Sequence, residues 1–285
     1  MTTTTLLLAG AGDLALRTGR LFMQDDARVI GLRRRPPAGA DDGIAWMAAD
    51  LGDPSTLSGL PGDITHVLYA ASPDAGSEAA YRRIFIDGLR NVCERLQAAT
   101  LRRIVFVSST AVYGSSQEII DEDTPAQPEH FNGRVLLEAE QWLHRRHPHA
   151  AVSLRLSGLY GPGRTGLLTR LADGTASVPD GGGHWANRIH IDDAARACAH
   201  LLKLPSPEPR YIGTDGQPWR IDALYDALAQ ALDAPVPLRH RAPEAASGKR
   251  LSNARLRASG FEFLWPDALE GYRPLIQNYL DAARS

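Results

Sequence analysis

Cysteine is nearly absent: in 285 residues there are only Cys93 and Cys198. Each lies in a stretch of helical periodicity with no neighbouring cysteine and no histidine at ligand spacing, so the two read as small core residues in a reducing compartment. An excess of one charge is also missing, because 31 basic residues face 33 acidic ones and the formal net charge is -2. With no basic field to draw a polyanion, neither nucleic acid nor an anionic membrane is expected as a partner. Long apolar runs are missing too. Leu6-Leu7-Leu8 follows a threonine start with no basic residue, and it is too short for a signal-peptide core or a membrane span, so a cytoplasmic location is expected. There is no internal repeat.

What remains is 44% apolar and 22% charged, the texture of a soluble globular chain with a substantial core. Its pattern alternates. Apolar, β-favouring runs occur at 4–9, 28–32, 44–47, 65–70, 103–109 and 151–157. Helical spacing occurs at 14–23, anchored by Leu14, Leu21 and Phe22, then at 81–98 and about 134–146. Strands alternating with helices predict an α/β fold, a doubly wound parallel sheet of the Rossmann type. Beyond residue 157, breakers such as Gly161-Pro162-Gly163 and Asp180-Gly181-Gly182-Gly183 punctuate shorter elements, with helices at 194–204, 221–232 and 267–283. The expected organisation is a dinucleotide-binding core over 1–160. A smaller C-terminal substrate lobe over 161–285 is interleaved with it as one structural unit.

The first strand runs into Gly10-Ala11-Gly12-Asp13-Leu14-Ala15, which opens the first helix. A pyrophosphate needs a turn that lets the backbone come close, followed by free N–H groups at a helix N-terminus. Gly10 and Gly12 supply the room, and Ala15 is small enough for the helix to pack on the strand. A glycine-rich turn can be a mere tight connection, but its place in the first βαβ unit points to a dinucleotide, with Asp13 and Leu14 in the turn. At the end of the second strand a NAD-selective site carries Asp or Glu for the ribose 2′-hydroxyl. This chain has Arg33-Arg34-Arg35. Guanidinium groups suit a 2′-phosphate, so NADP(H) is the preferred cofactor and NAD(H) the second.

Further segments carry a resemblance. They are Asp50-Leu51, Tyr69-Ala70-Ala71, Val107-Ser108-Ser109-Thr110-Ala111-Val112-Tyr113-Gly114, Glu122-Asp123-Thr124-Pro125, Leu154-Arg155 with Tyr160-Gly161-Pro162-Gly163, and Ile189-His190-Ile191-Asp192-Asp193. In order and spacing they resemble the extended short-chain dehydrogenase/reductase family, which includes sugar-nucleotide epimerases and dehydratases. The resemblance is closest to the atypical members of the NAD-dependent epimerase/dehydratase-like group, because Ala9 stands where typical extended members carry Gly. It implies that Asp50 and Leu51 contact the adenine end, that Ala70, Ala71 and Ser108 line the cofactor, and that Ser109 assists catalysis.

The family's usual acid is a Tyr with a Lys four residues on, which lowers the Tyr pKa. Here the matching positions hold Asn132 and Leu136, and no Tyr or Lys lies between Gly114 and Leu159. Asn cannot act as a general acid or base at neutral pH. One reading is an oxidoreductase or epimerase, acting on a polar substrate of the sugar-nucleotide kind, in which Ser109, Tyr113, His190 or a water moves the proton. Arg134 would then polarise or bind an anionic substrate. Tyr113 also reads as a structural tyrosine. A second reading is a non-catalytic dinucleotide sensor or regulator that kept the pocket and lost the chemistry; a scaffold with a vestigial pocket is a third.

On the substrate side the resemblance suggests Asn187, Arg188 and His190, against a plain surface loop whose Asp192-Asp193 caps a helix. His144, His147 and His149 read as solvated, and no metal is expected. Gly161-Pro162-Gly163-Arg164 reads as shaping a substrate loop, and Ser247-Gly248-Lys249-Arg250 as solvated surface. The partner implied is a small-molecule substrate, and nothing in the sequence fixes an oligomeric state.

Overall fold

The computed structural model describes residues 4–115, 119–180, 184–241 and 248–284. The chain forms two compact units. The first comprises Met1–Tyr113, Ala126–Arg155 and Ala195–Tyr211; the second comprises Gly114–Pro125, Leu156–Ala194 and Ile212–Ser285. Among the described residues no helix is long and apolar enough to cross a membrane.

The first unit begins with β1 (Thr5–Ala9), α1 (Asp13–Met23), β2 (Arg28–Arg33), β3 (Ile44–Ala48) and β4 (His66–Tyr69). Every residue of β1 is buried, the mark of a central strand covered on both faces. It pairs in parallel with β2 on one side and β4 on the other. With β5 (Arg103–Ser109) and the strands Ala151–Leu156 and Arg210–Gly213, these form a seven-stranded sheet. Its order is 210–213, 151–156, β5, β4, β1, β2, β3. The sheet is the parallel, Rossmann-like one read from the sequence. Succession reverses direction at β1, whose neighbours are β2 and β4, so a crevice opens beyond the carboxyl ends of β1 and β4.

Helix α1 buries Leu14, Ala15, Thr18, Gly19 and Phe22. Leu21, read as an anchor, is only half-buried, because the small residues set the contact. A Cβ on Gly19 would come within 3.0 Å of Leu8 Cδ1, so helix and strand pack as closely as side chains allow.

The helix expected at 81–98 is α2 (Glu78–Arg82), a π-helical turn (Arg83–Gly88) and α3 (Leu89–Arg95). The Ser77 hydroxyl accepts from Ala80 N–H and starts it early. The buried Tyr69 hydroxyl donates to Ile84 C=O at 2.6 Å, inside the π turn.

Helix α4 (Phe131–Arg146) starts three residues before the expected Arg134. Gly133 lies inside this added turn and is needed there, because a Cβ on it would lie 2.1 Å from Ala111 O. His144 and His147 are half-buried, not solvated. His144 Nε2 meets Ser153 Oγ at 3.0 Å, and burial lowers the pKa of both rings. Cys93 and Cys198 are both buried free thiols, pushed up to about 12 by burial.

The second unit packs helices Gly166–Ala172, Ile221–Ala231 and Ala268–Arg284 over an apolar cluster that includes Leu168, Val178, Leu224, Leu228 and Tyr272. Parallel strand pairs join Gly158–Tyr160 to Arg188–His190 and Ser177–Asp180 to Leu238–Arg241. The helix expected at 194–204 is Ile191–Lys203. Gly181, Gly182, Gly183 and Ser247, named above within loop segments, lie outside the described residues.

Candidate functional site

The crevice between β1 and β4 is built by the turn after each strand. Gly10 takes φ +86°, a conformation that favours glycine, and a Cβ on it would lie 2.4 Å from Ala71 Cα. The two turns therefore touch backbone to backbone, and Ala70 N–H is tied to Ala9 O at 2.9 Å. Gly12 has the opposite character. It caps α1 with φ -86°, and a Cβ on it would meet nothing within 4 Å. The first turn of α1 thus faces an open cradle, with its N-terminal N–H groups and positive dipole end directed there. A dinucleotide pyrophosphate fits that donor set. Asp13 is tied to Arg17 at 2.8 Å, while Leu14 and Ala15 are buried beneath the turn.

One cleft is lined by Gly10, Ala11, Gly12, Leu32, Arg33, Arg34, Ala49, Asp50, Leu51, Ala70, Ala71, Ser72, Asp74 and Ile84. Eight residues chosen from the sequence, namely Gly10, Gly12, Arg33, Arg34, Asp50, Leu51, Ala70 and Ala71, therefore share one space. A second hollow at the end of β2 is lined by Arg33, Arg34 and Arg35. Sequence reasoning missed Asp74 and Arg83. Arg34 Nη1 and Nη2 donate to Asp74 Oδ2 and Oδ1 at 2.6 and 2.5 Å, a fork that raises the Arg34 pKa and lowers that of Asp74. Asp50 accepts from Arg83 at 2.6 Å and from Gly52 N–H at 2.9 Å. Burial pushes its pKa up, but these partners outweigh burial and hold the carboxyl below its usual range.

At the end of β5 neighbouring serines diverge, as strand geometry requires. Ser108 is buried and donates to Glu140 Oε1 at 2.5 Å. Ser109 is half-buried, and its Oγ accepts from Ala111 N–H at 3.1 Å. Arg155 donates to both oxygens of Glu140, the closest pair being 2.6 Å, and Arg155 Nη1 donates to the Tyr113 hydroxyl at 2.6 Å. Burial would lower the Arg155 pKa, but Glu140 reverses this and the pKa is raised. Tyr113 is 2% exposed, so its hydroxyl belongs to this buried network. On α4, Asn132 Oδ1 accepts from Gly133 N–H, Leu136 is buried, and Arg134 folds back to donate to Glu129 C=O at 2.9 Å. No sequence signal beyond a charge inside an apolar pattern, Leu154-Arg155-Leu156 and Leu136-Leu137-Glu138-Ala139-Glu140, marks the Glu140–Arg155 pair.

In the second unit, the Asn187 amide donates to Lys249 C=O at 2.7 Å and accepts from Leu251 N–H at 3.2 Å. It holds that segment in place. His190 is buried against Tyr160 and Trp265, with Nδ1 accepting from Asp192 N–H at 3.2 Å. Arg188 neighbours Asp215 and Tyr272. Asp193, read as a helix cap, is buried and accepts from Leu264 and Trp265 N–H, each at 2.8 Å. Asp215 is the outlier. Both carboxylate oxygens are buried, no side chain among the described residues hydrogen-bonds to them, and the backbone N–H groups of Gln217 and Ala268 lie close enough to favour the charged form. Burial, then the Asp267 carboxylate, push it up to about 8 against the opposing pull of Arg188.

The sequence pattern of the NAD dependent epimerase/dehydratase family matches residues 8–213. A solved structure from Methylobacillus flagellatus, described as a NAD-dependent epimerase/dehydratase, is 34% identical. It covers 100% of this chain and 100% of its own, with a TM-score of 0.78. Protein YeeZ of Escherichia coli K12 is 34% identical over 187 residues, 65% of this chain. The chain spans 66% of that relative's length. A UDP-glucose 4-epimerase of Thermotoga maritima, 16% identical, superposes over 99% of this chain and 100% of its own with a TM-score of 0.79, which shows a common fold.

Proposed function

The chain belongs to the NAD dependent epimerase/dehydratase family, and from that premise we propose that its first unit binds NADP(H) and that the protein is an oxidoreductase or epimerase acting on a polar small molecule of the sugar-nucleotide kind. The observation that carries this reading is the open cradle over Gly12 at the start of α1. Gly10, Gly12 and the first-turn N–H groups of Asp13, Leu14 and Ala15 hold the pyrophosphate. Arg33 and Arg34 hold the 2′-phosphate, Asp50 and Leu51 the adenine end, and Ala70 and Ala71 the wall between. A bound nicotinamide supplies a hydride donor or acceptor.

Proton handling falls to Ser109, whose Oγ–H remains a donor while its oxygen caps Ala111. Arg134, near the start of α4, is proposed as the group that binds an anionic substrate. Tyr113 we assign to holding the end of β5 through Arg155, because its hydroxyl is buried. Asn187, Arg188 and His190 are proposed for the substrate side, with Arg188 the residue able to meet an anion. The two buried thiols fit a reducing, cytoplasmic setting.

A second reading is favoured by one observation: Leu136 is 4% exposed, so the position of the family's Lys is committed to the core. That suits a protein that binds the dinucleotide and reports it without turning it over. Titration with NADPH and NADH, followed by turnover over a panel of sugar nucleotides and carbonyl compounds, separates the two. Binding with turnover supports the enzyme, and tight binding without turnover supports the sensor. Binding of neither nucleotide below millimolar concentration sinks both.

A further inference from the structure

At the corner where β2 ends, the charges come in pairs. Arg83 is matched to Asp50, and the terminal nitrogens of Arg34 are matched end-on to both oxygens of Asp74. Asp74 and Arg34 line the same cleft and are about half exposed, with side-chain exposures of 51% and 56%. The loop bearing Asp74 follows directly on Ala70 and Ala71, which are fixed by the Ala9 hydrogen bond and the contact with Gly10. The carboxylate is therefore presented at the corner by the same turn that walls the cleft. A carboxylate fork and a phosphate offer a guanidinium the same geometry, two oxygens facing two N–H groups. They also carry the same sign, so the two compete.

We propose that Asp74 tempers cofactor selectivity: its carboxylate competes with a ribose 2′-phosphate for the Arg34 edge, and so weakens the preference for NADP(H) that the arginines confer while leaving NAD(H) binding untouched. This inference rests on the dinucleotide reading above. A nucleotide with a free 2′-hydroxyl leaves the Arg34–Asp74 pair intact. One with a 2′-phosphate must either displace Asp74 or accept a like charge beside it. Removing the charge while keeping the shape, as in Asp74→Asn, relieves both costs. Because the pair is exposed, the ring of Arg33, Arg34 and Arg35 is not otherwise disturbed.

The test uses fragments that report binding without turnover: 2′,5′-ADP and 5′-AMP, measured by calorimetry on the full chain. In Asp74→Asn, affinity for 2′,5′-ADP rises about fivefold, the factor carried by a like-charge contact of ~4 Å in high dielectric, and affinity for 5′-AMP is unchanged. The gain shrinks at about 1 M salt, where the screening length is ~3 Å. Asp63→Asn, which removes the same charge beside Arg28 at the start of β2, gives no gain. In an Arg34→Ala background the Asp74→Asn gain disappears. An equal gain for both fragments, no gain, or a loss for 2′,5′-ADP in Asp74→Asn overturns this inference while the dinucleotide reading stands. Failure of the unaltered protein to bind either fragment overturns both.

Discussion

A methyl group on Gly12 would point into open space, whereas one on Gly10 would collide with the Ala71 backbone. On the proposed dinucleotide reading, the two glycines of the turn therefore separate folding from binding. Gly12→Ala, at φ -86° and ψ -173°, is an ordinary backbone for alanine, so its unfolding free energy should change by no more than about 0.5 kcal/mol. Its NADPH affinity should fall at least about tenfold, since the methyl group fills the cradle. Calorimetric titration beside a thermal melt checks both, and unchanged affinity would remove the pyrophosphate from this turn. A second prediction at this scale concerns Glu140. Glu140→Gln leaves Arg155 as a buried charge without its counter-ion, Ser108 loses its charged acceptor, and Tyr113 is affected only through Arg155, which donates to its hydroxyl. The cost should be about 3–5 kcal/mol in denaturant unfolding. A loss under 1 kcal/mol would show that the pair is dispensable.

Among the elements, what was legible in the sequence follows from how local the cause is. The sheet strands were readable because fully buried runs such as Leu6-Leu7-Leu8 bounded by glycine admit few alternatives. The wall of the cleft was readable for the same reason, since Gly10, Gly12, Arg33 and Asp50 sit at the ends of those strands. Asp74 was not, because nothing local says that a loop carboxylate reaches across to Arg34, 40 residues away. The start of α4 at Phe131 was not legible either, since the contact of Gly133 with Ala111 that accompanies it is tertiary. The π turn at Arg83–Gly88 is likewise invisible in periodicity. It coincides with the Tyr69 hydroxyl, which engages the Ile84 carbonyl from outside the helix. Tyr69→Phe should therefore destabilise the first unit by about 1–3 kcal/mol, the cost of a buried partner left unsatisfied. Hydrogen exchange should quicken over 83–88 before it quickens in β1. Uniform quickening across the unit would deny the hydroxyl a local role.

For the molecule as a whole, stability against pH is set by groups whose burial moves their titration. Asp215 titrates at about 8 in the folded chain, against 3.8 when free. The folded state therefore holds a proton that the unfolded state releases across the window from about 4 to about 8, and unfolding becomes easier as pH rises through it. The stability contributed by the neutral acid is complete below pH 4 and lost as pH passes 8. His66 acts in the opposite sense. Burial, helped by Arg102, Arg103 and Lys203, lowers it to about 4, so the folded state favours the neutral ring. Its contribution is complete above about 6.5 and is lost as pH falls through 4. Between 4 and 6.5 the two oppose each other, and from 6.5 to 8 only Asp215 remains of this pair. Asp215→Asn should thus track the parent protein below pH 4. It should then become progressively more stable than the parent towards pH 8, by up to about 1.4 kcal/mol for each pH unit in which the proton difference is whole. Chemical denaturation at pH 4, 6, 7 and 8.5 measures the difference curve. A curve that is flat across this range would place the Asp215 carboxyl in contact with solvent or with a partner that holds it charged.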